Sequence, residues 1–256
     1  MIVLPLHTPW QASAMRQCLL EFYAGLPPGA TPHFVFSNHD DKRLITRYGY
    51  EQHRSIAVLL LTLLGSPILY YGDEIAMCDM FIPLEKRVDT AGLIDPDTYP
   101  GRDPNRTPMQ WDTSQHAGFT PDTVEPWLPV NENRSTINVA VQAAAPDSTL
   151  TFYTTLLHLR RDSRALRVGS IQFLEETGDV LAYVRTFGDE RLLIAINFGS
   201  GSPILDLSEL ADQAHCVLSS TLQRPDAVAL AAVALNAYES VVFKLGPGGA
   251  SARESV

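Results

Sequence analysis

The stretch Phe34-Val35-Phe36-Ser37-Asn38-His39-Asp40 joins an apolar run of strand length to an imidazole and a carboxylate, and Lys42, Arg43 and Arg47 follow. A buried strand that delivers ionisable groups at its C-terminal tip is how parallel α/β folds build active sites. Asp40 and His39 are a candidate catalytic pair there. Few acidic residues stand near Asp40, so this pair alone does not complete an acid–base reaction. A plainer reading of the same residues is open as well, with Asp40 capping the next helix and His39 a satisfied core residue.

The flanking pattern supplies the elements that would position the pair. Ile2 to Leu6 reads as a strand, Trp10 to Ala24 as a helix that stops at Gly25-Leu26-Pro27-Pro28-Gly29, and Phe34 to Ser37 as a second strand. Glu51 to Leu64 reads as an apolar helix with Gly65 just past its end, and Ile68 to Tyr71 as a third strand ending in Gly72-Asp73-Glu74. Alternating strands and helices with short connections predict a parallel βαβ sheet. Residues 77 to 148 are rich in Asp, Pro, Asn and Thr and read as a long ordered excursion with short helical turns, the kind of loop that usually carries function. Leu150 to Arg164 returns to helix, with Leu156, Leu157 and Leu159 inward and Arg160 and Arg161 outward. After Gly169 the period switches to two, in short segments near 170–175, 180–187, 191–198, 203–207, 214–219, 228–233 and 238–245. That pattern predicts an antiparallel sandwich.

Composition narrows the function classes. A chain of 256 residues buries a real core. A formal net charge of −10 argues against nucleic-acid binding, which needs clustered cations. Three cysteines, Cys18, Cys78 and Cys216, have no C-x-x-C spacing and read as small buried hydrophobes in a reducing compartment. The apolar start has no basic n-region or cleavage site, and the longest apolar run, Ile56 to Leu64, is about half of a bilayer span. A cytoplasmic protein is expected, with no metal and no cofactor.

Four motifs in order resemble one family. Phe34 to Asp40 resembles the fourth conserved region of the α-amylase superfamily at the end of its seventh barrel strand, and Gly65-Ser66-Pro67-Ile68-Leu69-Tyr70-Tyr71-Gly72-Asp73-Glu74 resembles its eighth. Gly101-Arg102-Asp103-Pro104-Asn105-Arg106-Thr107-Pro108-Met109-Gln110-Trp111-Asp112 with Ala117-Gly118-Phe119 is similar to bacterial α-glucosidases, oligo-1,6-glucosidases and trehalose synthases. Phe152-Tyr153 with Leu159-Arg160-Arg161 is similar to the last barrel helix. The resemblance implies an α/β fold: the C-terminal part of a (β/α)8 TIM barrel, about strands six to eight, over residues 1–165. An antiparallel all-β sandwich over 166–246 and a flexible tail at 247–256 would follow. It also implies that the nucleophilic Asp and the general-acid Glu of the family lie upstream of Met1.

Under that resemblance Asp40 matches the family's third carboxylate, which binds sugar hydroxyls and stabilises the transition state. His39 would donate to the same sugar, and Arg102 would help to close the pocket by pairing with an Asp from an upstream loop. Arg47 could line an outer subsite or simply lie on a solvated helix surface. Glu74, Asp103 and Arg106 are expected near the site in structural roles, with Asp103 and Asp112 holding the long loop together with Arg102 and Arg106. Tyr70, Tyr71, Trp111 and Trp127 could stack on sugars, although large aromatics more often fill cores. The expected function is the C-terminal portion of an α-glucosidase-type hydrolase of oligosaccharides, inactive alone. The alternatives are a trehalose synthase-like transglycosylase or isomerase portion and a non-catalytic amylase-like sugar-binding or assembly module. Expected partners are α-linked glucosides and malto- or isomalto-oligosaccharides once the rest of the barrel is supplied. Open sheet edges invite self-association, with the sandwich folding more independently than the N-terminal half.

Overall fold

A computed structural model describes residues 2–3, 7–94, 98–221 and 224–246. The expected tail at 247–256 and the expected strand residues Leu4 to Leu6 lie outside the described residues. In chain order the regular elements are β1 (Ile2–Val3), α1 (Ala12–Ala24), β2 (His33–Val35), α2 (Leu44–Tyr48), α3 (His53–Thr62), β3 (Ser66–Ile68), α4 (Ala91–Ile94), α5 (Val139–Ala143), α6 (Thr149–Asp162) and α7 (Arg164–Val168). Eight further strands follow: β4 (Ser170–Phe173), β5 (Val180–Phe187), β6 (Glu190–Asn197), β7 (Ile204–Leu205), β8 (Gln213–Ser219), β9 (Ala227–Ala229), β10 (Val233–Ala234) and β11 (Ser240–Leu245). They make up two compact units, one of residues 1–34, 54–67 and 156–256 and one of residues 35–53 and 68–155.

The first unit contains the sandwich. A six-stranded antiparallel sheet runs in the order β4-β5-β6-β11-β8-β9, and β7 pairs with β10 in a separate ribbon. Val180, Ala182 and Val184 of β5, Leu193 and Ala195 of β6 and Val241 and Phe243 of β11 share one core cluster with Leu205 and Val233 of the ribbon. The opposite face is covered too, and Leu181, Tyr183, Arg185, Ile194, Ile196 and Val242 are all buried. The Tyr183 and Thr62 hydroxyls meet at 2.5 Å, and Ser240 Oγ donates to Ser55 Oγ at 2.7 Å. Central strands buried on both faces need no polar face. Tyr183 and Arg185 therefore turn inward, where strict alternation would have placed outward residues.

Two arginines account for how α3 ends in the same unit. The last carbonyls of a helix lack intrahelical donors and carry partial negative charge. Arg160 Nη1 donates to Leu61 O (2.7 Å) and Leu63 O (3.3 Å), while its Nη2 donates to Gly65 O. Arg185 Nη1 donates to Thr62 O, and its Nε and Nη2 reach Ser170 O (3.1 Å) and Gly169 O (3.0 Å). Burial pushes the Arg185 guanidinium down to about 10, still protonated at neutral pH. The expected outward Arg160 is thus corrected. Arg160 points inward to answer helix carbonyls, whereas Leu157 is exposed and Arg161 lies in solvent beside Asp162.

The parallel strand pair is β1 with β2, in the register Ile2↔His33 and Val3↔Phe34, and β3 extends the sheet in the order β1-β2-β3. Gly65, at φ 143°, passes so close to Pro32 that an added Cβ would lie 2.7 Å from its carbonyl oxygen. The third strand was expected at Ile68 to Tyr71 but ends at Ile68. Tyr70 and Tyr71 leave it to donate their hydroxyls to Asn105 O (3.0 Å) and Thr107 O (2.6 Å).

The second unit is mostly irregular and is pegged by buried polar side chains, as the excursion read from the sequence requires. Gln142 donates to Ile75 O (2.8 Å) and accepts from Leu150 N (3.0 Å), and Asn138 caps α5 through Val141 N (2.8 Å). Ile75, Met77 and Met109 form its small apolar cluster.

In the first unit, the buried Glu239 accepts from both Arg224 Nε and Nη2 (2.7 Å each), from Ser219 Oγ (2.7 Å) and from the Asn236 backbone (2.8 Å). Burial alone would raise its pKa, but these donors outweigh it and bring the carboxyl down to about 2. A depressed carboxyl adds stability above its ordinary 4.5 that disappears as pH falls toward about 2. Glu239→Gln is therefore expected to cost about 1–3 kcal/mol at pH 7, because it leaves a partly buried guanidinium without its counter-charge. It should also flatten the loss of stability between those two pH values, and denaturant unfolding across that range checks both effects.

Candidate active site

The site begins where β2 ends. Phe36 and Ser37 are buried, and Asn38 Oδ1 folds the chain over by accepting the backbone N–H groups of Asp40 (2.7 Å) and Asp41 (3.0 Å). That side-chain turn brings the Asp40 carboxylate out to half exposure. Its Oδ1 accepts from Arg102 Nη1 at 3.1 Å and from Arg106 Nη2 at 3.0 Å, and its Oδ2 lies 3.3 Å from His39 Nε2. Arg106 Nε also donates to His39 O at 2.7 Å, and Asn105 Nδ2 donates to Asn38 O at 3.0 Å. One short turn, Asp103–Asn105 with its flanking arginines, therefore grips both the carboxylate and the backbone of the strand tip.

Arg102 is shared. Its Nε and Nη2 form a fork on Asp89, at 2.9 Å to Oδ2 and 2.9 Å to Oδ1, and its backbone N–H reaches the same Oδ2 at 2.8 Å. The bond from Arg102 holds Asp40 below the usual carboxylate range, with the charges of His39, Arg102 and Arg106 adding to it. The same guanidinium holds Asp89 well below that range. Asp103 is buried and accepts the backbone N–H groups of Val88 (2.6 Å) and Asp89 (2.9 Å). Gly101 is required where it stands, because a Cβ there would lie 2.9 Å from Gly92 Cα.

The other residues singled out in the sequence fall in different places. Arg47 donates to Phe36 O (2.8 Å) and to Tyr48 Oη (2.7 Å), so it braces the strand from behind and is not among the groups bonded to Asp40. Glu74 Oε2 accepts the N–H of Gly72 (2.8 Å), and burial raises its pKa. Arg106, expected as a loop anchor, is directly on Asp40. Asp112 bonds Ser114 N (2.8 Å) rather than either arginine. Tyr71, Trp111 and Trp127 line a cavity of about 390 Å³ together with Phe119, Glu74 and Arg106. Asp89 was not singled out from the sequence. A lone Asp in Arg87-Val88-Asp89-Thr90 carries no motif, and its partner lies 13 positions away. Among the described residues no group of three or more His, Cys, Asp or Glu is arranged to hold a metal ion. No helix among them is long and apolar enough to cross a membrane.

Residues 7–169 match the family described as "Alpha amylase, catalytic domain". The chain belongs to the α-amylase family. It is 29% identical to an oligo-1,6-glucosidase of Parageobacillus thermoglucosidasius over 93% of its own length and 46% of that protein. It is 38% identical to Maltase A1 of Drosophila melanogaster over 76% of its length and 35% of that protein. Among solved structures, the trehalulose synthase MutB of Pseudomonas mesoacidophila MX-45 superposes with a TM-score of 0.81 at 27% identity, covering 91% of this chain and 46% of the synthase. The chain thus spans less than half the length of these relatives. In this α-amylase-family chain the three-stranded sheet is a C-terminal part of the (β/α)8 barrel, and the strands after Gly169 are the antiparallel domain that follows it.

Beneath the strand tip, Ser37 Oγ donates to Asp73 Oδ2, while Asp73 Oδ1 has no hydrogen-bond partner among the described residues. Burial raises the Asp73 carboxyl to about 7 against the pull of Ser37 and Arg43. A raised carboxyl adds stability that is full below its ordinary 3.8 and is lost as pH rises through about 7. Asp73→Asn keeps an acceptor for Ser37 and never ionises. It is expected to be more stable than wild type at pH 8 by about 2–4 kcal/mol, with the gap closing toward pH 4. Urea unfolding at the two pH values checks this.

Proposed function

We propose that this chain is the C-terminal portion of an α-glucosidase-type glycoside hydrolase acting on α-glucosidic bonds of oligosaccharides. In this reading Asp40 is the carboxylate that binds sugar hydroxyls and stabilises the transition state. The observation that carries it is the Asp40 carboxylate itself, half exposed at a strand tip and kept ionised by the bond from Arg102. A fixed negative charge suits a transition state with oxocarbenium character. It does not suit a general acid, which must hold a proton near neutral pH.

Retaining hydrolysis needs two carboxyl groups about 5–5.5 Å apart, one as nucleophile and one as acid and base. Three carboxylates of the described residues around Asp40 are held in other roles. Asp89 has both oxygens on Arg102, Asp103 is buried on backbone N–H groups, and Asp73 is buried under Ser37. In this reading the nucleophile and the acid are residues outside this chain. His39 and Arg102 are the sugar-binding neighbours of Asp40, and the aromatic cavity reached by Arg106 suits the apolar face of a pyranose. Arg47 keeps at most an indirect role, through the backbone of Phe36. Three unpaired thiols fit a reducing, cytoplasmic setting. The likeness to a trehalulose synthase favours isomerisation or transfer as the second reading, and the products made from sucrose by a completed barrel would separate the two.

Purified alone, the chain is expected to show no turnover of p-nitrophenyl α-glucoside, and ordinary turnover would overturn the assignment. Titration calorimetry with glucose and maltose is expected to detect binding that Asp40→Ala weakens about tenfold or more, roughly 1.4 kcal/mol. Equal binding by both proteins would remove Asp40 from the site.

A further inference from the structure

The guanidinium of Arg102 is fixed from the side away from Asp40. We propose that Asp89 is its positioning residue, supplying from within this chain the carboxylate that orients Arg102 toward Asp40. Two parallel N–H···O bonds of 2.9 Å fix both the plane and the rotation of a guanidinium. With Nε and Nη2 committed to Asp89, Nη1 is the remaining corner, and it lies 3.1 Å from Asp40 Oδ1. Asp89 can act in this way because its side chain is only 3% exposed and its backbone is pinned by the buried Asp103. These bonds use three of the five N–H groups of Arg102, leaving one on Nη1 and one on Nη2 to meet a sugar hydroxyl. A carboxylate from another loop is not needed to hold the arginine. The meaning of this arrangement for catalysis rests on the reading of Asp40 proposed above, but the arrangement itself does not.

Two physical effects of removing Asp89 have opposite signs, and this makes the inference testable. Deleting a nearby negative charge, with everything else in place, makes Asp40 easier to ionise and lowers its titration midpoint. Releasing Arg102 removes the largest influence that holds the midpoint down and so raises it, leaving His39 and Arg106 as the other cationic groups on Asp40.

The experiment is a carbon-13 carboxyl NMR titration of the full 256-residue chain as wild type, Asp89→Asn, Arg102→Gln and the double variant. The Asp40 midpoint is expected to rise toward the ordinary aspartate range in Asp89→Asn, to rise in Arg102→Gln, and to rise no further in the double variant. A midpoint that falls or stays put in Asp89→Asn, or increments that add in the double variant, would overturn the proposal. Asp112, held low by Ser114 in the same unit, is the internal control. Its return to the ordinary range in Asp89→Asn would mean that Asp89 serves folding instead, which also overturns the proposal. Glucose titration of the same samples separates the two levels. Failure of the wild-type chain to bind would count against the proposed function while leaving the midpoint result standing.

Discussion

The arrangement at the strand tip depends on one guanidinium divided between two carboxylates. A half-exposed Asp at the end of a strand has many orientations, and water competes for each of its oxygens. Arg102 removes that freedom because it is itself immobilised on Asp89, and Asp89 is immobilised through its backbone by Asp103. Rigidity passes outward from a buried acid, through a nearly buried acid and a shared cation, to the one carboxylate that faces solvent. Arg106 repeats the connection from a second direction by holding both the Asp40 side chain and the His39 carbonyl.

A carboxylate held in this way suits one kind of work. The bond from Arg102 favours its charged form, which on the proposed reading serves electrostatic stabilisation. Two neighbouring acids are held in other places, Asp73 beneath the strand tip under Ser37 and Asp103 on the backbone of the loop.

Much of this was legible in the amino-acid order. The strand tip at Asn38-His39-Asp40, the long excursion with its short helical turns, and the run of short strands after Gly169 all follow from local pattern, since each element is decided by its own residues. What pattern could not show was the use of long polar side chains across the fold. Arg160 sits in a helix position that local spacing assigns to solvent, and only the carbonyls of α3 explain why it turns inward. Arg106 read as scaffold because its partner is 66 residues away, and Asp89 carried no signal because a single Asp in a loop is ordinary. Tyr70 and Tyr71 looked like strand residues by type and were taken out of the strand by hydroxyl bonds to a later loop.

The two arginines at the end of α3 have an evolutionary consequence. A helix usually ends by a local device, a glycine and a turn that could be copied with it into another protein. Here the terminal carbonyls are answered by Arg160 from a later helix and Arg185 from the antiparallel sheet, both buried. The sheet domain is therefore not a detachable cassette. Recombination that exchanged it for an unrelated module would have to bring a cation to the same depth, so the barrel segment and its sheet are expected to be inherited together.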